Sequence, residues 1–286
     1  MKILYYFSLI KFSHTIFALP FALIGYVLAI QTQSVSFSVY TLGYVIACMI
    51  FARSAAMAFN RYSDYTYDSK NARTANREIP SGKISPSSAL IFTIIHSVLF
   101  IVTTWFINPI CFYLSPVALL VILGYSYTKR FTYICHFILG IGLSLAPIGA
   151  YLAVTGYFSL TPILFSCIVF TWTAGFDILY ALQDEEFDRS ETLFSIPALF
   201  GRTKAMRISI GTHIITAILV VITGLHVQLN YIYWIGASIF IGLLAFQHTL
   251  IKPHDISKIN IAFGTTNGIA SVIFAVFTIT ALYIQF

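Results

Sequence analysis

The stretch NRYSDYTYDSKNARTANREIPSG, from Asn60 to Gly82, concentrates charge in a very apolar chain. It holds seven of the 26 charged residues (16 basic and 10 acidic) of a 286-residue protein that is 58% hydrophobic and only 9% charged. Such a composition lies far outside the range of soluble globular domains and is typical of a multi-span membrane protein. The positions of the charged stretches therefore decide where the membrane spans begin and end.

Five tracts without Asp, Glu, Lys or Arg lie between the charged stretches, at 12–52, 84–128, 131–176, 208–251 and 259–286. A spanning helix needs about 20 residues, so each of the first four tracts has room for two helices and the last for one. Turn-forming residues mark the turns within the four pairs, at 31–36, 108–109, 155–156 and 228–230. We predict an all-α fold of nine transmembrane helices, arranged as two four-helix halves plus a ninth helix around a central cavity.

With these boundaries, every Lys and Arg falls on the side of the membrane that holds the N-terminus. The positive-inside rule makes that side cytoplasmic and predicts an integral protein of the cytoplasmic (inner) membrane. The net charge of +6 then reflects topology and contact with anionic membrane lipids, and it argues against a nucleic-acid partner because no soluble basic surface is predicted. The sequence leaves the oligomeric state open.

The four cysteines and most histidines give no sign of a metal centre. Cys48, Cys111, Cys135 and Cys167 lack CxxC spacing and are interpreted as small buried hydrophobes. The histidines at 213, 226 and 248 stand singly in apolar tracts or at turns, which favours structural roles. His136, close to Lys129 and Arg130, is left outside the predicted site.

Three oxygen-bearing residues of the first charged stretch have helical spacing. Asn60, Asp64 and Asp68 fall at i, i+4 and i+8, so a continuing helix would place them on one face. Basic residues follow at once, at 70, 73, 77 and 83. The region thus offers acidic oxygens for a hard cation and cationic groups for an anion.

A second charged stretch, GFDILYALQDEEFDRSETLFSIPALFG (175–201), repeats this pattern. Asp177, Asp184 and Asp188 share one predicted helical face, and Asp184 follows Asp64 by 120 residues. Two acidic faces opposed across a cavity could hold a diphosphate through Mg²⁺, with an apolar cavity for a lipid tail. The alternative is that both stretches are ordinary cytoplasmic loops. It explains the basic residues, but it does not explain why the acids share one helical face in both stretches.

Three motifs resemble those of the UbiA superfamily of intramembrane aromatic prenyltransferases, over nearly the whole chain. They are NRYSDYTYD (60–68) running into RTANREIPSG (73–82), DILYALQDEEFD (177–188) running into SIP (195–197), and YSYTKR (125–130). The resemblance implies a single UbiA-like transmembrane domain over 1–286. It also implies transfer of a polyprenyl group from polyprenyl diphosphate to an aromatic ring, with Mg²⁺ as cofactor.

The resemblance also implies roles for individual residues. The metal ligands would be Asn60, Asp64, Asp68, Asp184 and Asp188. Asp64, Asp177 and Asp184 would be catalytic, with Asp177 positioning or deprotonating the acceptor. The substrate-binding residues would be Arg53, Lys70, Arg73, Arg77, Tyr125, Lys129 and Arg130, with Arg53 pairing with an acceptor carboxylate.

One residue departs from the family pattern, because Arg61 stands where many members have Asp. The residues of the motifs are similar to those of the branch that prenylates 4-hydroxybenzoate or a dihydroxynaphthoate in ubiquinone or menaquinone synthesis. The competing hypothesis is a transporter or lipid-diphosphate-binding protein without prenyl transfer. Carriers usually place polar sites near the midplane, whereas both acidic clusters here end helices at one face, which favours an enzyme.

Overall fold

A computed structural model describes residues 2–11 and 17–285. Within these residues the regular secondary structure is helical, apart from one isolated antiparallel bridge between Lys252 and Asp255. The helices are α1 (Lys2–Leu9), α2 (Leu19–Gln33), α3 (Val39–Ser63), α4 (Tyr65–Lys70), α5 (Pro86–Trp105), α6 (Pro109–Thr128), α7 (Cys135–Thr155), α8 (Leu160–Tyr180), α9 (Glu185–Ser190), α10 (Ile196–Val227), α11 (Tyr231–Leu250) and α12 (Asn267–Gln285). A 3₁₀ turn, Ala181–Asp184, joins α8 to α9, and a π-helical turn, Ile261–Thr266, precedes α12.

Several long helices begin with a side-chain N-cap, next to the turns that the sequence predicts. Ser38, Ser85, Asn108, Ser195 and Asn230 each accept a hydrogen bond from a backbone N–H in the first turn of the following helix. Such caps satisfy donors that have no partner within the helix. The predicted breaks within all four helix pairs are confirmed.

Eight helices in the described part of the chain are long and apolar enough to cross a membrane, and α2 is a shorter apolar helix of 15 residues. These nine agree with the predicted all-α architecture. The first predicted helix was expected from His14, and residues 12–16 lie outside the described residues. Pro20 lies in the first turn of α2, where proline costs no hydrogen bond.

The core forms around α2, which is buried over most of its length from Pro20 to Ile30. It packs against α7, α12 and α8, while α7 packs on α8 and α8 on α10. Helix α5 instead exposes Ile91, Ile95, Val98 and Val102 along one stripe. Exposed aliphatic stripes of this kind face lipid in a membrane protein.

Small residues on α7 have two uses. A Cβ at Gly140 would lie 2.6 Å from the carbonyl oxygen of Phe170 on α8, so Gly140 allows close helix packing. Gly149 has no atom within 4 Å of such a Cβ and instead lines a cavity. The small residues of α7 therefore serve both helix packing and the cavity.

Two histidines that were expected to stand singly are in contact. His213 Nδ1 on α10 lies 2.8 Å from His248 Nε2 on α11, and His213 Nε2 lies 3.2 Å from the carbonyl oxygen of Trp172. The prediction of isolated residues was wrong because 35 residues separate them along the chain and only helix packing joins them. The pair is a buried polar link between helices.

Candidate active site

The two acidic clusters share a backbone geometry. Helix α3 ends at Ser63, and Asp64 (φ −99°, ψ 6°) separates it from the six-residue α4. Asp184 (φ −101°, ψ 2°) likewise separates the end of α8 and its 3₁₀ turn from the six-residue α9. The same break 120 residues apart supports the predicted repeat, although the expected uninterrupted helices were wrong.

The first cluster keeps its oxygens together despite the break. Asn60 Nδ2 donates to Asp64 Oδ2 at 3.2 Å, as i, i+4 spacing predicts. The backbone N–H of Asp68 still bonds to the carbonyl oxygen of Asp64 at 2.7 Å, and the two carboxylates interact electrostatically. Asp68 is buried, and both of its oxygens accept from Arg77 Nη1, at 2.7 and 2.8 Å.

Basic residues join the two clusters. Arg73, in the loop after α4, donates to both oxygens of Asp184 at 3.0 and 2.6 Å. Lys70 Nζ of α4 lies 2.6 Å from Glu191 Oε2, just after α9. The segment after the first acidic cluster therefore binds the second one, and we call the space that the two clusters share the mouth.

The adjacent residues Lys129 and Arg130 bind one acid from each cluster. Lys129 Nζ lies 2.7 Å from Asp188 Oδ1, and Arg130 Nη2 lies 3.3 Å from Asp64 Oδ1. Because neighbouring residues reach both acids, Asp64 and Asp188 face the same space. The structure thus brings all five predicted acidic and amide ligands and the five predicted bases of the mouth into one region.

Burial and neighbouring charges shift the pKa values at this mouth. Burial raises the pKa of Asp64, and the charge of Asp68 raises it further, while Arg130 opposes both effects. Burial alone would lower the pKa of Lys129, but Asp188 and Asp184 outweigh it and the pKa is raised. The mouth therefore disfavours the ionised form of Asp64 and favours the charged form of Lys129.

The donors at the mouth fit a hard divalent cation. The four carboxylates and the Asn60 amide supply only oxygen ligands, and positively charged side chains lie beside them. This combination is the chemistry of a Mg²⁺–phosphate site. Among the described residues, no group of three or more His, Cys, Asp or Glu side chains is gathered in a metal-binding arrangement. The acids are instead paired with bases, so an incoming cation and diphosphate would replace these ion pairs.

An apolar cavity of about 390 Å³ lies between α3, α5, α6 and α7, with Arg53 and Tyr125 in its wall. The cavity-lining residues of α6 extend from Cys111 to Tyr125. At a helical rise of 1.5 Å per residue, this stretch makes the cavity about 20 Å long. Arg53 Nε is buried without a hydrogen bond, and no ion pair of Arg53 is found among residues 2–11 and 17–285. Arg53 is thus a cation available to an anionic ligand, as sequence analysis anticipated for it.

Tyr125 lies where the cavity meets the acidic mouth. It interacts electrostatically with the acids Asp177 and Asp64 and with the bases Arg61 and Arg53. The predicted acceptor residues therefore surround one end of the cavity.

Asp177 has a partner that sequence reasoning left out. His136 Nδ1 lies 2.7 Å from Asp177 Oδ2, and the imidazole is buried at the start of α7. Asn71 was also missed, although its Nδ2 donates to Asp184 Oδ1 at 3.1 Å. The nearness of His136 to Lys129 and Arg130 was a usable signal, whereas nothing in the sequence marks Asn71.

Arg61, which departs from the family pattern, is buried with 6% of its surface exposed. Its Nε has no hydrogen bond, and its neighbours include the charges of Arg77 and Asp68. The first cluster consequently carries a buried positive charge beside its acids, where many UbiA-like chains have a further carboxylate.

Comparison with known proteins agrees with this geometry. The sequence model of the UbiA prenyltransferase family matches residues 18–280. A 4-hydroxybenzoate octaprenyltransferase of Aliivibrio fischeri (strain MJ11) is 31% identical over 235 residues, covering 82% of each protein.

Two solved structures have the same architecture. The apo structure of a UbiA homologue from Aeropyrum pernix K1 has a TM-score of 0.84 at 28% identity, covering 93% of this chain and 97% of that one. A UbiA homologue from Archaeoglobus fulgidus bound to GPP and Mg²⁺ has a TM-score of 0.75 at 21% identity, covering 98% and 99%. The chain therefore belongs to the UbiA prenyltransferase family.

Proposed function

We propose that the protein is a Mg²⁺-dependent enzyme that transfers a polyprenyl group from polyprenyl diphosphate to a small aromatic acid. The acceptor is of the class of 4-hydroxybenzoate or a dihydroxynaphthoate. The observation that carries this proposal is the joint site itself, where two acidic clusters and their bases lie over an apolar cavity. Arg53 in the cavity wall has no ion pair with the described residues. The relative named for 4-hydroxybenzoate octaprenyl transfer supports the acceptor class.

The acids would hold Mg²⁺ through their oxygens. Asp64, Asp184 and Asp188, with Asn60 and Asp68 close by, form the donor set. Bound there, the cation would neutralise charge on the diphosphate and help it leave. The neighbour from Archaeoglobus fulgidus, with GPP and Mg²⁺ in its structure, supports a role for Mg²⁺ in this protein.

The bases then have a second task. In the structure Arg73, Lys129 and Arg130 each pair with an acid of the metal set. With the acids holding the cation, these bases would be free to contact diphosphate oxygens, together with Lys70 and Arg77. Their charge offsets the negative charge that grows on the diphosphate as it departs.

The cavity protects the reacting centre from water. Breaking the carbon–oxygen bond leaves the electron pair on the diphosphate and an allylic cation on the prenyl group. A dry apolar wall keeps that cation from hydrolysis, and a depth of about 20 Å along α6 suits a long prenyl chain. A ring carbon ortho to a phenol supplies the electron pair of the new carbon–carbon bond.

The acceptor would be oriented at the Tyr125 end of the cavity. Arg53 is placed to bind its carboxylate with two parallel hydrogen bonds. Asp177 is placed to accept the proton that the acceptor loses when aromaticity is restored. One proton is released for each bond formed, so the reaction balances.

We further propose that the protein lies in the inner membrane and that its mouth faces the cytoplasm. The segments that follow α3, α6 and α8 carry charged residues and lie on one side of the predicted topology. The segments that follow α5 and α7 lie on the other side and carry no charged residue. Short basic loops stay on the cytoplasmic side.

The test of the activity uses purified protein with a polyprenyl diphosphate, Mg²⁺ and a panel of hydroxybenzoates and dihydroxynaphthoates. We expect mass spectrometry to detect a prenylated acid with at least one acceptor. Absence of product with every acceptor, together with uptake of the diphosphate into vesicles, would instead identify a carrier.

A further inference from the structure

The imidazole of His136 is fixed by partners on two other helices. Its Nδ1 lies 2.7 Å from Asp177 Oδ2 on α8, and its Nε2 lies 3.3 Å from the backbone nitrogen of Ile196, at the start of α10. Only 3% of the His136 side chain is exposed. The ring thus joins α7 to both neighbouring helices directly beneath the second acidic cluster.

These two partners decide which ring nitrogen carries the proton. A backbone N–H can only donate, so the N–H of Ile196 requires a free lone pair on His136 Nε2. In the neutral ring the proton is then on Nδ1, which donates to Asp177 Oδ2. A hydrogen bond of this kind stabilises the ionised carboxylate and sets its orientation.

The other oxygen of Asp177 is open. Asp177 Oδ1 accepts no hydrogen bond from the described residues, and 24% of the Asp177 side chain is exposed. Tyr125, in the cavity wall, interacts electrostatically with Asp177. The carboxylate therefore has one oxygen held by a buried donor, and its other oxygen makes no hydrogen bond with the described residues.

We propose that His136 is a positioning residue, which holds Asp177 oriented so that Oδ1 can accept the acceptor's proton. This inference rests on the proposed function, because it gives Asp177 the role of the base in prenyl transfer. The proton moves from the aromatic acceptor to Oδ1, and His136 keeps its own proton on Nδ1 throughout. A buried base oriented by a second side chain is a recurring arrangement in acid–base catalysis.

The proposal is tested with two substitutions that differ in one property. His136→Phe keeps an aromatic ring of similar size but has no donor, whereas His136→Asn keeps an N–H near the position of Nδ1. With both substrates saturating, we expect His136→Phe to lower kcat by about 10- to 100-fold, the usual cost of losing such an orienting partner. His136→Asn should recover most of the loss. The KM for the prenyl diphosphate should stay within about twofold in both variants, because among the described residues the two ring nitrogens of His136 bond to Asp177 and Ile196 and not to the acids of the metal set.

A purely structural role for the ring is separated by a double-mutant cycle. If His136 acts through Asp177, then adding His136→Phe to Asp177→Asn should lower the residual kcat by less than about twofold. His226→Leu, which changes an exposed histidine near the opposite end of α10, is the matched control and should keep full activity.

Each outcome bears on a different claim. Wild-type kcat in His136→Phe, equal kcat in the Phe and Asn variants, or a full loss repeated in the Asp177→Asn background would overturn the role of His136. Prenylated product from the wild type shows in the same experiment that the proposed function stands. No product from the wild type with any acceptor would overturn the proposed function and this inference together.

Discussion

At the scale of single residues, Asp64 and Asp184 have equivalent places in the two halves. Each lies at a break between a long helix and a six-residue helix, and each binds a base from outside its own cluster. The backbone break directs both carboxylates into the shared mouth. Their equivalence is the reason to expect that both are needed.

Removing the charge of either acid should abolish transfer. We expect Asp64→Asn and Asp184→Asn each to lower kcat by at least about 100-fold, the scale of losing one preorganised electrostatic contact. The measurement is prenyl transfer by purified variants whose folding is checked by thermal unfolding. Glu186→Gln, at a side chain 91% exposed, is the control and should be fully active. Near-normal turnover in either Asp variant would remove that residue from the metal site.

Arg53 should discriminate between the two substrates. A hydrogen bond to a charged group contributes about 1.5–3 kcal/mol, so Arg53→Ala should raise the KM for the aromatic acid roughly ten- to hundredfold. The KM for the prenyl diphosphate should change little, because that substrate binds at the acidic mouth. Arg53→Lys should recover only part of the loss, since lysine lacks the planar fork. Equal losses for both substrates would contradict the assigned role.

At the scale of helices, much of the fold follows from the sequence and part of it does not. Charge-free tracts and capping residues such as Asn108 and Asn230 predict the spans and their turns, because both signals are local. The partners of His136, His213 and Asn71 could not be predicted, since they lie 35 to 113 residues away and meet only through helix packing. The site acids were predicted, but the breaks at Asp64 and Asp184 were not.

The contact between α2 and α7 gives a test of the packing. A Cβ at Gly25 would lie 2.0 Å from the carbonyl oxygen of Pro147, so the two helices meet at backbone distance. We expect Gly25→Ala to destabilise the protein by about 1–3 kcal/mol through overpacking, seen as a lower Tm in detergent. Gly43→Ala on α3 is the matched control, because nothing lies within 4 Å of the added carbon. Equal Tm values for the two variants would show that α2 and α7 do not pack this closely.

At the scale of the whole molecule, the helix ends divide into a charged set and an uncharged set. Cysteines introduced into a cysteine-free background should report this division. We expect Ser81→Cys, in the loop before α5, to react with a membrane-impermeant maleimide only in inverted vesicles. Tyr157→Cys, between α7 and α8, should react only from the outside of intact cells. The reverse labelling pattern would place the mouth outside the cytoplasm.

The account's central claim is that the two acidic clusters act as one metal-dependent site for prenyl transfer. The most direct measurement is product formation by the purified protein from a polyprenyl diphosphate and its preferred aromatic acid, before and after removal of divalent metal with EDTA. We predict that product formation stops with EDTA and returns when Mg²⁺ is added in excess, because the clustered carboxylates need the cation to hold the diphosphate. Prenylated product formed at the same rate in EDTA would contradict the claim.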